Sequence, residues 1–203
     1  MITTSMTMAE AFRCVASGHP RREALVCGKV RVTYGQVVDR IIALAYGLNG
    51  LGIGKGDKVA AALSPSPEFV YLFFTLAELG AVMVPINPQL RPRQIYYVLR
   101  DLEPVAVVIS GWLGTAGGRR VIEDVQSEVP GLRHVISVEG ETGARLSLAD
   151  LLSTEPDSTF GPPDVSPDDL LALLYTWDDG RFQRHDAQSP ELDDPGDGQP
   201  QDP

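Results

Sequence analysis

The sequence predicts an α/β fold: a doubly wound, mostly parallel sheet with helices on both faces. Three observations carry this. Strand-length apolar runs recur at Val59–Leu63, Ala81–Ile86, Val105–Ser110, His134–Val138 and Leu170–Thr176. Most of them are apolar throughout, which is how a strand covered on both faces reads. Helical patterns alternate with the first four of these runs, as crossover connections between parallel strands require.

The chain is organised around Asp57–Asn87, DKVAAALSPSPEFVYLFFTLAELGAVMVPIN. Val59–Leu63 is the first strand. Ser66 and Pro67 give an N-cap followed by proline at the first helical position. An apolar helix runs from Glu68 to about Leu79, and Gly80 stops it. Ala81–Ile86 closes a βαβ unit, right-handed by the usual rule. Upstream, Ser5–Ala16 reads as an amphipathic helix ended by Gly18 and Pro20. Ala24–Cys27 and Val30–Thr33 flank Gly28–Lys29 as a hairpin. Tyr34–Leu51 is the longest helical pattern, with Val37, Val38, Ile41, Leu44, Ala45 and Leu48 on its apolar face. Downstream, helices are expected at Arg93–Leu102, Arg119–Val129 and Leu146–Leu152. Thr154–Pro167 is a proline-rich loop before the last strand.

The character changes at Trp177. Residues 1–176 form the predicted domain. Residues 177–203 hold seven aspartates, one glutamate, two arginines and four prolines, so this tail carries −6 of the chain's −10. Its only apolar residues are Trp177, Phe182, Ala187 and Leu192, too few to offset the entropy of ordering, and disorder is expected. The overall charge excludes a nucleic-acid partner and offers nothing to an anionic membrane. No signal peptide is read at the N-terminus, where Glu10 and Arg13 interrupt the apolar stretch. Phe69–Ile86 is long enough for a membrane span, but Glu78, Gly80 and Pro85 divide it, so the expectation is a protein without transmembrane segments, located in the cytoplasm. Cys14 and Cys27 are expected as two buried or half-buried reduced thiols, not a disulfide framework.

Few residues offer chemistry. Gly52, Gly54 and Gly56 precede a strand instead of following one, and read as a helix stop and turn, not a dinucleotide fingerprint. Gly111–Gly118 lies between a strand and a helix but lacks the Lys-Ser/Thr ending of a phosphate loop, so a plain loop is favoured. His19, His134 and His185 show no metal spacing. His134 is read as structural. Glu68 and Glu78 do not share a helix face and are read as helix-start and surface residues. Tyr71, Phe73 and Phe74 are read as core in preference to an acyl pocket.

The central unit and its continuation, through PINPQL, resemble the N-terminal domain of adenylate-forming enzymes, and within them the acyl-CoA ligases. VTYGQVV at Val32–Val38 is similar to the stretch that opens the first long helix of those enzymes. The resemblance covers roughly Ala9–Thr176. It implies ATP-dependent activation of a fatty acid or similar carboxylate to an acyl-adenylate, then transfer to coenzyme A, with magnesium assisting the first step. In that family the last strand leads into a phosphate loop, Tyr-Thr-Ser-Gly-Thr-Thr-Gly-x-x-Lys-Gly. Its glycines let backbone N–H groups approach phosphate, and its lysine and hydroxyls add donors. Here Tyr175 and Thr176 stand in place as the start of that loop. Trp177-Asp178-Asp179-Gly180 then replaces the glycine- and threonine-rich turn, and no lysine follows. Catalytic and metal-binding residues are therefore expected to be absent, and no ATP, Mg2+ or coenzyme A is expected to serve this chain by itself.

Codon structure offers a cause. Tryptophan is TGG and aspartate GAT or GAC. Read one nucleotide later, Trp177-Asp178 forces glycine, and the next two codons can only be Thr or Met. The shifted codons that follow permit Gly, Val, Ser, Lys and Gly. Trp177–His185 is thus compatible with an out-of-frame reading of a normal loop. The sequence expectation is a truncated acyl-CoA ligase, inactive by itself. The alternatives are one half of a split ligase that needs a separately encoded remainder, or a non-catalytic binding module.

Overall fold

The computed structural model describes residues 6–114, 116–138, 146–157, 160–161, 163–178 and 181–188. Helix α1 (Met8–Gly18) opens on a capping box. The Thr7 side chain accepts from the Glu10 N–H while Glu10 reaches back to the Thr7 N–H. Strands β1 (Glu23–Cys27) and β2 (Val30–Thr33) form the expected antiparallel hairpin, with Gly28 at φ 58°. Thr33 ends β2 and caps α2 (Tyr34–Gly50) in a second capping box with Gln36. Both boxes follow from Thr-x-x-Glu/Gln in the sequence.

The βαβ unit is as read: β3 (Lys58–Ala62), α3 (Pro67–Leu79), β4 (Val82–Pro85). Pro67 starts α3, and Gly80 ends it in the left-handed conformation at φ 64°. A side chain at Gly80 would be strained, and its Cβ would lie 3.1 Å from Lys55 Cγ and 3.2 Å from Val165 Cγ2. Next come α4 (Pro92–Leu102), β5 (Ala106–Ile109), a 3₁₀ turn at Gly111–Gly114, α5 (Ala116–Glu128) and β6 (His134–Ser137). The segment expected as one short helix divides into a brief strand, β7 (Leu146–Ser147), and α6 (Leu148–Leu151). Strands β8 (Leu170–Asp178) and β9 (Arg181–Gln188) complete the described chain.

The main sheet has the order β7-β6-β5-β3-β4-β8-β9. Every pairing is parallel except β8 with β9. Helices α2 and α3 cover one face. Leu44, Leu48, Leu72 and Leu76 pack there on Val59, Ala61, Met83, Val108 and Ile136. Helices α4 and α5 cover the other, where Ile95, Leu99, Ile122 and Val125 meet Ala60, Ala62, Val84, Val107 and Ile109. Successive β3 residues thus alternate between two buried layers, which is why the run lacks polar alternation. Among the described residues no helix is long and apolar enough to cross a membrane.

Three expectations need correction. The tail was expected to be disordered, but residues 181–188 form β9 against β8. Backbone pairing with an existing strand supplies the order that the tail's composition could not. Residues 189–203 lie outside the described residues. Cys14 and Cys27 are both free, and both are exposed instead of buried. Cys27 ends β1 beside the Gly28 turn, and Cys14 lies on the outer side of α1. Glu78, read as a surface residue, is buried at 8% exposure and pairs with Arg13 of α1.

Candidate functional site

In a doubly wound sheet, ligands bind outside the carboxyl ends of the strands, where neighbouring strands send their connections to opposite faces. Here that point lies between β3 and β5. The chain leaves β3 toward α3 on one face and leaves β5 toward α5 on the other. Two serines sit there. The Ser110 N–H donates to the Ala62 carbonyl at 3.2 Å, continuing the ladder. The Ser110 Oγ accepts from the Ser64 N–H at 3.3 Å. Ser110 is buried and Ser64 exposed. Sequence reasoning missed this pair. Its signal was a serine directly after each of two apolar strands. The pair supplies short polar groups and no charge. In the loop after β4, Asn87 Oδ1 accepts from the Gln89 N–H at 2.9 Å, so its amide shapes its own loop.

Tyr175 and Thr176 lie near the carboxyl end of β8, as expected. The Tyr175 hydroxyl donates to Asp101 Oδ2 of α4 at 2.8 Å. Partial burial pushes the phenol well above its ordinary value, with the bond to Asp101 and that carboxylate's charge adding to the shift. Tyr175 therefore stays protonated and acts as a donor, not a base. Thr176 is exposed, and its Oγ1 is 3.0 Å from His185 Nε2 on β9. The strand does not stop at Thr176. It continues to Asp178, and Arg181 begins the antiparallel return, with Tyr175 opposite Arg184 and Thr176 opposite Gln183. The backbone groups of Tyr175 and Thr176 are thus in a hairpin ladder.

The remaining sequence candidates fall to structural roles. Gly52 and Gly56 have positive φ in the turn before β3, the Gly56 N–H donating to the Gly80 carbonyl at 2.8 Å. The Gly111–Gly118 stretch is spent on the 3₁₀ turn and the start of α5, with Leu113 fully buried. His19 caps α1. His134 Nε2 meets the Leu51 carbonyl at 3.0 Å, a structural contact, as read. Tyr71 is buried in the α2/α3 layer, with Phe73 and Phe74 packed against it. Burial, then the charge of Glu68, raises the Tyr71 phenol. An open groove of about 770 Å³ lies along β2, α2 and residues 152–156, lined by Arg31, Asp39, Arg40 and Glu155 among others. It belongs to the helical layer, not to the carboxyl ends of the strands. Arg40 is already engaged, donating to the Leu152 carbonyl at 3.1 Å. Among the described residues no group of three or more His, Cys, Asp or Glu could hold a metal ion.

Comparison with known proteins agrees with this architecture. Residues 12–176 match the family model for AMP-binding enzymes. The chain belongs to the AMP-binding enzyme family. It is 31% identical over 172 residues to the crotonobetaine/carnitine–CoA ligase of Escherichia coli O127:H6, covering 80% of this chain and 32% of the relative. A fatty acyl CoA synthetase of Mycobacterium tuberculosis superposes with a TM-score of 0.73 at 30% identity, over 90% of this chain and 34% of that one. The anthranilate CoA ligase AuaEII, in complex with anthranoyl-AMP, shares the fold with a TM-score of 0.78 at 23% identity, over 91% and 34%. This chain thus spans about a third of the length of the curated relatives it matches, and the family match ends at Thr176, two residues before the end of β8.

Proposed function

We propose that residues 1–176 are the first portion of the N-terminal domain of an ATP-dependent acid–CoA ligase, and that the 203-residue chain does not catalyse acid activation by itself. The family reaction joins a carboxylic acid to AMP with release of pyrophosphate, then transfers the acyl group to coenzyme A. The names of the relatives support a carboxylate substrate, of which a fatty acid is the class we favour. The cytoplasm, where ATP and coenzyme A are available, is the compartment we assign.

One observation carries the negative half. Where the family's phosphate loop begins, Tyr175 and Thr176 are held in a hairpin ladder, and the sequence that follows is Trp-Asp-Asp-Gly. Two aspartates oppose a polyphosphate, and no lysine follows Thr176. Tyr175 directs its hydroxyl to Asp101. These residues do not fit ATP, Mg2+ or coenzyme A, and no chemical step is assigned to them. Losing a single oxyanion-type donor costs ~10²–10³ in rate, and here the set is lacking.

The test is ATP–pyrophosphate exchange with the purified chain and a panel of fatty acids. Exchange at background is expected, and exchange above it would overturn the proposal. We further propose, from the codons compatible with Trp177–His185, that residues 177–203 are an out-of-frame reading. The gene read past the Leu173 codon should then show the phosphate loop and further ligase sequence in a shifted frame. A shifted frame that closes at once makes the tail genuine. A separately translated remainder of the ligase would co-purify with this chain and carry that loop.

A further inference from the structure

Strand β8 is an apolar strand with an unusual neighbour. Residues 170–176, LLALLYT, carry no charge. Ala172 and Leu173 are buried, and Leu174 is exposed at 44%. On its inner side β8 runs parallel to β4, with Ala172 in register with Met83. On its outer side it is paired with β9 from Leu170 opposite Gln188 to Asp178 opposite Arg181, with one irregularity near Ala172. An apolar strand whose edge is open is a template for another strand. The strand lying on that edge is of the opposite kind. In β9, residues 183–186 and 188 (Gln, Arg, His, Asp and Gln) are exposed. Charged edge strands of this sort are poor templates for further addition.

We infer that β9 is an edge guard. It closes the hydrogen-bonding edge of β8, and when it is displaced that edge pairs with β8 of a second copy of this chain. Among the described residues the side-chain contacts that fasten β9 are exposed or half-buried. They include the Thr176–His185 contact at 3.0 Å, Gln188 Nε2 donating to the Asp168 carbonyl at 3.0 Å, and a hydrogen bond from Arg184 to the Tyr175 hydroxyl, beside an Arg184–Asp186 ion pair at 3.8 Å within β9 itself. Exposed pairs of this kind contribute little. The backbone ladder therefore does most of the fastening, and another strand can replace it. A second β8 suits the edge because two uncharged apolar strands can pair antiparallel about a two-fold axis without charge repulsion. The inference rests on strand pairing alone and holds whether or not the ligase reading does.

The experiment uses the full chain carrying Arg184→Pro and His185→Pro together. Neighbouring residues of a strand point their N–H groups to opposite edges, so one of the two prolines removes a bond to β8. Hydrogen exchange should become about tenfold faster across β9. Sedimentation should show concentration-dependent dimers or larger species at concentrations where the parent chain associates less. Adding Leu174→Lys should reverse this by like-charge repulsion across the new pairing. A proline variant that stays monomeric at every concentration, with β8 amides unprotected, overturns the inference. So does association that survives Leu174→Lys. If α2 and β3 also lose protection, His185→Ala replaces the prolines. It removes the Thr176 contact and leaves the backbone intact. Its β9 amides should exchange faster and its self-association rise above the parent's, and parental behaviour in both overturns the guard.

Discussion

Strands β3 and β8 lie in the same sheet, separated only by β4, and are held in different ways. Strand β3 is in parallel register with β4 from Lys58 to Ala61 and with β5 from Val59 to Ala62. Helices cover both its faces, and Val59, Ala60 and Ala61 have no exposed surface. Strand β8 has one parallel neighbour, β4, and one antiparallel neighbour that is polar. Local sequence specified β3, whereas the far end of β8 depends on which strand happens to lie beside it. That far end is also where the match to the AMP-binding enzyme family stops, at Thr176.

The largest effect should come from the β3 side. Leu76 of α3 is fully buried in the layer over β3. Leu76→Ala should cost about 2–5 kcal/mol, the transfer of the lost atoms plus a residual cavity. Leu174→Ala on β8, exposed at 44%, should stay within about 0.5 kcal/mol. Urea denaturation of the two variants checks the contrast. Equal losses would mean that β8 is embedded in the core as deeply as α3.

A second, smaller effect should come from the seam between α1 and α3. Glu78 is buried beneath α1, and Arg13 is its partner, with 45% of its own side chain exposed. Removing Arg13 leaves a carboxylate buried without its counter-charge. Arg13→Ala should therefore cost about 1–3 kcal/mol, below the figure for a fully buried pair because Arg13 is wet. Glu78→Gln keeps shape and hydrogen-bonding capacity and should cost less. If Arg13→Ala proves neutral by thermal denaturation, water satisfies Glu78 at that seam.

The legible parts of this molecule were those decided within a few residues. The apolar pattern from Tyr34 announced α2, Pro67 the start of α3, and Gly80 its end. The uninterrupted Val-Ala-Ala-Ala of β3 announced two covered faces. The apolar run that carries Tyr175 and Thr176 ended at Thr176, whereas β8 continues two residues further, to Asp178. The parts that escaped were decided at long range. Glu78 looked like a surface carboxylate because its partner is 65 residues away on another helix. Nothing in the i, i+3 or i+4 pattern of α3 points to Arg13. The Ser64–Ser110 contact joins two loops separated by 46 residues. Strand β9 has neither the alternation nor the β-branched residues of an independent strand, since its order is templated by β8. Cys14 and Cys27 were read from the usual preference of cysteine for the interior, which says nothing about a particular helix face or hairpin tip.

The smallest effect tests whether the outer end of β8 is fastened to the body at all. Tyr175 is the candidate fastener, through its bond to Asp101 of α4. Tyr175→Phe should cost about 0.5–1.5 kcal/mol near neutral pH, at the lower end because the bond is exposed. The alkaline limb gives a sharper reading. Burial and Asp101 raise the phenol above its ordinary 10.0, so the folded chain holds the proton more tightly than the unfolded one. The stabilisation is then fully present below about pH 10 and is lost progressively as pH rises through the folded-state value. Denaturation midpoints measured from pH 8 upward should fall more steeply above pH 10 for the parent than for Tyr175→Phe. Parallel curves would mean that Tyr175 is free of Asp101 in solution. The end of β8 would then have lost its tie to α4, which would make β9 easier to exchange for another strand.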